Sequence, residues 1–168
     1  MNIITDISIL KAKNSLVEKN EVNDIINKLE TSLKDSKTGV GLAAPQIGIN
    51  KKAAIIRIKS TNENVDLVNP VLVDSLKLFV HKDEGCLSLP NKLVNVHRFK
   101  EIFIKDDLHP AGIILVGLVA VVVQHEIDHL NGILITDKIA GKIGRNDMCP
   151  CRKFENGKFV KYKNCHGR

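Results

Sequence analysis

The sequence predicts an α+β protein with one main domain and a small C-terminal appendage. Three observations lead to that class. β-like apolar runs, bounded by turn residues, fill the middle of the chain; two segments carry helical periodicity; and the composition changes after residue 140. The 168 residues, 43% of them hydrophobic, are enough to bury one core, and only 4% are aromatic, so Ile, Leu and Val must build it.

In residues 21–34, Val22, Ile25, Ile26, Leu29 and Leu33 recur at helical spacing, which predicts an amphipathic helix. Residues 38–48, punctuated by Gly and Pro, read as a loop. Residues 52–58 and 67–74 read as strands, the second broken by Pro70, which belongs at an edge or a bulge. Residues 82–85 read as a turn, 91–104 as two further β runs and 106–112 as a loop. The longest apolar run, 113–123, is too short to cross a bilayer and reads as the start of a buried helix over 114–131, ended by Asn131-Gly132. Gly141 and Gly144 loosen the chain, so a boundary is expected near 141, with domains at 1–140 and 141–168.

The net charge of +6 is local. Eight of the 25 basic residues and two of the 19 acidic ones fall after residue 140, so the excess lies in the tail. A basic tail points to an anionic partner such as nucleic acid or a ribosome surface. Residues 1–13 hold no basic stretch followed by an apolar one, so no secretory signal and no membrane insertion are expected. An internal, reducing compartment follows as an expectation, and the four cysteines then read as ligands, nucleophiles or core residues before disulfides.

His125-Glu126-Ile127-Asp128-His129 falls inside the predicted second helix. Residues four apart share a helical face, so both imidazoles can reach one ion, and Glu126 can lie beside a water there. That pattern suits metal-assisted hydrolysis with a carboxylate moving the proton. A catalytic site needs a third protein ligand. Spacing alone does not choose between Cys86, His81, His97 and His109.

The segments GVGLAAPQ (39–46), EGCLS (84–88) and QHEIDH (124–129) together resemble the three signature motifs of the peptide deformylases, in the family's order and at similar separations. The likeness runs over most of residues 1–135. It implies antiparallel sheets around a central metal-binding helix, and removal of the formyl group from the N-terminal formyl-methionine of nascent polypeptides by a water held at the metal. By the same resemblance Cys86, His125 and His129 are the metal ligands. Glu126 carries the proton, and Gln46 with the Leu87 backbone N–H stabilises the oxyanion. Glu84 and Arg98 brace the cysteine loop. Val40 and Gly41 bond the substrate main chain, and Leu118, Val121 and Val122 line the methionine pocket. The implied cofactor is one divalent metal, Fe2+ in vivo, with Zn2+, Ni2+ or Co2+ as replacements. The implied location is the cytoplasm of a bacterial-type cell, with organellar or phage origin left open. The chain departs from the family in residues 6–14, where a proline- and arginine-containing segment is usual, and in the valine-rich 119–123. Those departures bear on pocket shape and partner surface.

The tail places Cys149 and Cys151 before a closing Cys165-His166 pair. It resembles the small zinc-binding SEC-C motif at the C-terminus of the SecA translocation ATPase. The resemblance implies Cys149, Cys151, Cys165 and His166 as ligands of a closed structural Zn2+ site and suggests ribosome contact through the basic tail. Asn156-Gly157 suits a hairpin tip that absorbs an unusually long Cys151–Cys165 spacing. A competing expectation is a deformylase-like scaffold that acts mainly as a partner-binding module through its zinc tail.

Overall fold

A computed structural model describes residues 3–36, 38–58, 61 and 63–167. A one-turn helix, α1 (Ile7–Leu10), is capped by the Asp6 carboxylate, which accepts from the Ser8 N–H. Helix α2 (Val22–Lys34) matches the expected amphipathic segment and buries Ile25, Leu29 and Leu33. Asp24 in its first turn and Lys34 in its last complement the helix dipole.

The buried stripe of α2 packs on the first antiparallel sheet, β1 (Gly41–Ala43), β2 (Ala53–Ile58) and β3 (Glu63–Val68), in that order. Residues 38–48 are therefore more than a loop. They contain β1 and a 3-10 turn, Ala44–Ile47, whose Pro45 is tolerated at the start because the first helical N–H groups have no internal partner.

The second antiparallel sheet is β4 (Val71–Cys86), β5 (Leu89–Lys105) and β6 (Ile113–Val116). The strand expected at 67–74 is in fact the end of β3 and the start of β4, in different sheets. Pro70 separates them, having no N–H for the ladder. The expected turn at 82–85 is a bulge within β4, where the register shifts between His81 and Glu84 and Asp83 takes φ +53°. The real turn is Leu87-Ser88, closing β4 onto β5 at the Cys86–Leu89 pair. The two β runs at 91–104 form one strand.

The start of the second helix also needs correcting. Residues 113–116 are strand β6, paired to β5, with Ile114 and Val116 exposed and Ile113 and Leu115 turned inward. A period of two, read within an unbroken apolar run, was hidden by the helical pattern that follows it. Gly117 at φ +62° turns the chain into α3 (Gly117–Leu130). Every residue of α3 from Ala120 to Leu130 is buried, between the first sheet and Phe99, Ile102 and Ile104 of β5. Asn131 and Gly132 (φ +68°) end it as expected.

Beyond the 3-10 turn Ile135–Asp137, the chain pairs Ile139 with Val96 and then forms a miniature hairpin, β7 (Phe154–Glu155) and β8 (Lys158–Phe159). Its tip is Asn156-Gly157, both at positive φ (+51° and +76°), the backbone of a type I′ turn. The tail is packed on the body: Cys149 is fully buried and Cys151 lies against the main core cluster. Among the described residues no helix is long and apolar enough to cross a membrane.

Candidate metal centre

Two elements deliver three donor atoms to one point. Cys86 comes from the end of β4, His125 and His129 from one face of α3, and their ligand atoms all lie within 4.8 Å of one another. The Cys86 Sγ is 3.2 Å from the His129 Nε2. His125 points its Nδ1 at the Glu84 carboxylate, 2.8 Å away, which leaves Nε2 for an ion. Spacing left Cys86, His81, His97 and His109 as equal candidates for the third donor. The fold brings only Cys86 among them into this cluster, counting the described residues.

The two histidines of this cluster are perturbed in opposite directions. Burial alone would lower His125, but contact with Cys86 and Glu84 overrides it and pushes the ring up to about 10. Burial, reinforced by His125, holds His129 down at about 3. Two imidazoles and a thiol thus crowd one point, an arrangement that a divalent ion can hold. A Cys–His–His set with an orphaned carboxylate oxygen alongside fits a catalytic metal: Glu126 Oε2 is buried without a hydrogen-bond partner. Burial pushes Glu126 up to about 7, with His125 and Arg98 pulling the other way, so its carboxyl can exchange a proton near neutral pH.

Behind the donors lies a buried ion network. Arg98, fully buried, holds Glu84 through Nε and Nη2 and Asp128 through Nη1. Lys138 adds 3.0 Å and 3.1 Å contacts to Asp128. Burial would raise Glu84, but hydrogen bonds from Arg98 and His125 bring it down to about 2. The Glu84–Arg98 pair was expected from resemblance; Asp128 and Lys138 were missed. Asp128 sits inside the HEIDH pentapeptide, so its position was visible, but its partners are 30 and 10 residues away and nothing local marks them.

A cleft of about 480 Å³ opens over the donors. Its lining includes Val40, Gly41, Gln46, Leu87, Val121 and Val122, with Leu118 at 64% exposure on the rim. The buried Gln46 amide does two jobs: its Oε1 accepts from the Ala43 N–H at 2.9 Å, and its Nε2 donates to Ser88 Oγ at 3.2 Å and faces Cys86 Sγ at 3.7 Å. Gly41 is required sterically. A Cβ there would collide with the Glu126 carboxylate and stand 2.7 Å from Val122.

The second cluster is in the tail. His166 Nδ1 lies 3.1 Å from Cys149 Sγ and 3.2 Å from Cys165 Sγ, and Cys151 Sγ lies 3.6 Å from Cys165 Sγ. Four donors converge within 4.8 Å, and all four cysteines of the chain are free thiols.

Comparison with known proteins agrees with the body of this picture. The family described as polypeptide deformylase matches residues 2–143. A peptide deformylase of Prochlorococcus marinus (strain AS9601) is 40% identical over 131 residues, covering 73% of this chain and 65% of the relative, so the chain spans just under two thirds of that protein's length. Among solved structures, the actinonin-bound class I type b peptide deformylase from Acinetobacter baumannii superposes with a TM-score of 0.72 at 30% identity, covering 83% of this chain and 98% of that one. The peptide deformylase from Thermotoga maritima gives a TM-score of 0.67 at 35% identity, covering 79% and 92%.

Proposed function

This chain belongs to the peptide deformylase family, and on that premise we propose that it removes the formyl group from the N-terminal formyl-methionine of nascent polypeptides. The observation that carries the reading is the clustering of Cys86, His125 and His129, with Cys86 and His125 lining one cleft together with Glu126 and Gln46. Cys86, His125 and His129 would hold one divalent ion, Fe2+ in vivo with Zn2+, Ni2+ or Co2+ as substitutes. Bound there, it would supply Lewis acidity to the formyl carbonyl and to water.

The chain's own groups do the rest. Glu126 takes a proton as water adds to the formyl carbon, then returns it to the amine as the C–N bond breaks, leaving formate and a free α-amino group. A carboxyl raised towards neutrality suits both directions of that transfer. The Gln46 Nε2 and the Leu87 backbone N–H donate to the oxygen that gains negative charge. Gln46 is held for this task by the Ala43 N–H. Val40 and Gly41 receive the substrate main chain beside β1, an edge strand with room for another. Leu118, Val121 and Val122 receive the methionine side chain.

The tail belongs to the same reading as a structural Zn2+ site of Cys149, Cys151, Cys165 and His166, and its basic charge as a contact to the ribosome or another anionic partner. A bacterial-type cytoplasmic enzyme would meet its substrates there. Turnover of a formyl-methionyl peptide under anaerobic conditions with iron tests the reaction, and absence of turnover would overturn it. Neutralising the tail lysines should weaken ribosome co-sedimentation in a salt-sensitive way; unchanged co-sedimentation would remove the contact from the proposal.

A further inference from the structure

His166 faces two ways. Its Nδ1 meets the Cys149 and Cys165 sulfurs, while its Nε2 lies 2.7 Å from the backbone oxygen of Ser75 and 3.3 Å from that residue's hydroxyl. The same ring lies against Phe99, with centroids 4.6 Å apart and a tilt of 46°. Ser75 is in the middle of β4 and Phe99 in the middle of β5, and both are buried.

Phe99 is in turn held by the catalytic helix. The Phe99 N–H donates to the Gln124 Oε1 at 2.9 Å, and the Gln124 Nε2 donates to the Phe99 carbonyl at 2.9 Å and to the Ala120 carbonyl at 2.8 Å. Gln124 precedes His125 directly. Arg98, which holds Glu84 against His125, precedes Phe99 directly. A continuous set of contacts therefore runs from the tail cluster through the His166 ring to Phe99, and from there to His125 by two routes, through its chain neighbour Gln124 and through the Glu84 carboxylate at its Nδ1.

We infer that His166 is a positioning residue for the catalytic centre, and that filling the tail site with metal is what fixes it in place. This rests on the tail-zinc reading above. The chemistry links the two ends of the ring. A metal at Nδ1 requires that nitrogen to carry no proton, which leaves the hydrogen of the neutral ring on Nε2. That tautomer is the one that can donate to the Ser75 carbonyl. The other neutral tautomer would set a lone pair against a carbonyl oxygen. Tail metal and docking on the sheet thus select the same state of one ring, and each favours the other.

The test uses the full chain with the catalytic site loaded. His166→Cys keeps four tail ligands as a Cys₄ set but has no donor for the Ser75 oxygen and no ring on Phe99. It should retain two metals per chain, yet exchange the Phe99 amide hydrogen and release the catalytic metal faster, each by about tenfold. A tail that merely stabilises itself would leave both rates at the wild-type value, and that result overturns the inference. If His166→Cys gives no folded chain, Cys165→Ser carries the test. Loss of the tail metal there must speed the same two rates, and unchanged rates overturn the inference equally. A wild-type chain that binds one metal instead sinks the tail-zinc reading on which the inference stands. Neither result touches the deformylation assignment, which the formyl-peptide assay decides separately.

Discussion

The chain carries two clusters of cysteine and histidine, and they are built by opposite means. In the body, three donors stand on a long hairpin and the buried part of a helix, with Glu84, Arg98, Asp128 and Lys138 packed behind them. In the tail, four donors stand on turns and irregular chain flanking the two-residue strands β7 and β8, with no carboxylate among them. On the proposed reading, the first arrangement would leave a position open with Glu126 and Gln46 beside it. The second would use every donor for closure. In general, a centre that must react needs a scaffold that keeps its shape whatever occupies it, whereas a centre that only holds chain together can let the ion make the shape.

Four experiments can break or sharpen that contrast. The largest effect is expected from Glu126→Ala: formyl-peptide turnover should fall by about 10²–10⁴-fold, while metal analysis finds both ions still present. Retained turnover would mean that the open centre does not use its orphaned carboxylate. Next comes Arg98→Met, which leaves the Glu84 and Asp128 carboxylates buried without their shared partner. Denaturant unfolding should show a loss of about 3–5 kcal/mol; a loss near zero would remove the network from the scaffold's support.

Acid should act on the same network. Glu84 is depressed to about 2 in the folded chain, so its stabilisation is complete above the ordinary carboxylate range and is lost as pH falls from about 4.5 towards 2. The amount is on the order of 3 kcal/mol, and Glu84→Gln should flatten that limb of the stability–pH curve. The smallest effect is local to the tail. Gly157→Ala forces a Cβ onto φ +76° and should cost about 1 kcal/mol, read as tail zinc affinity lowered several-fold with turnover unaltered. An equal effect on the two sites would erase the contrast.

The two candidate histidine donors were legible early because their signal is local, whereas Cys86 and Gln46 came only from the resemblance of three motifs together. The HEIDH spacing places two rings on one helical face by geometry, and the Asn-Gly dipeptides mark a helix end and a hairpin tip. The β6–α3 boundary was not legible, since four apolar residues at a period of two merge into the apolar helix after them. Nor were the supporting contacts. Lys138 reads as an ordinary surface lysine until Asp128 is seen beside it, and the His166–Ser75 contact joins residues 91 apart in sequence. Such pairings exist only once the sheet and helix have met, so no window of sequence contains them.

The two-residue turn at Leu87-Ser88 has a consequence for the order in which the protein assembles. It pairs Cys86 with Leu89, so the surroundings of the first donor are set by neighbours in sequence, on the fast timescale of hairpin closure. His129 reaches that cysteine from 43 residues further along, across a slower, non-local contact. The hairpin alone therefore offers an incoming ion a single sulfur, and the full donor set comes into being only when α3 docks. If these three residues hold the ion as proposed, its capture is a late event, and an ion that binds tightly would report that the body has finished folding.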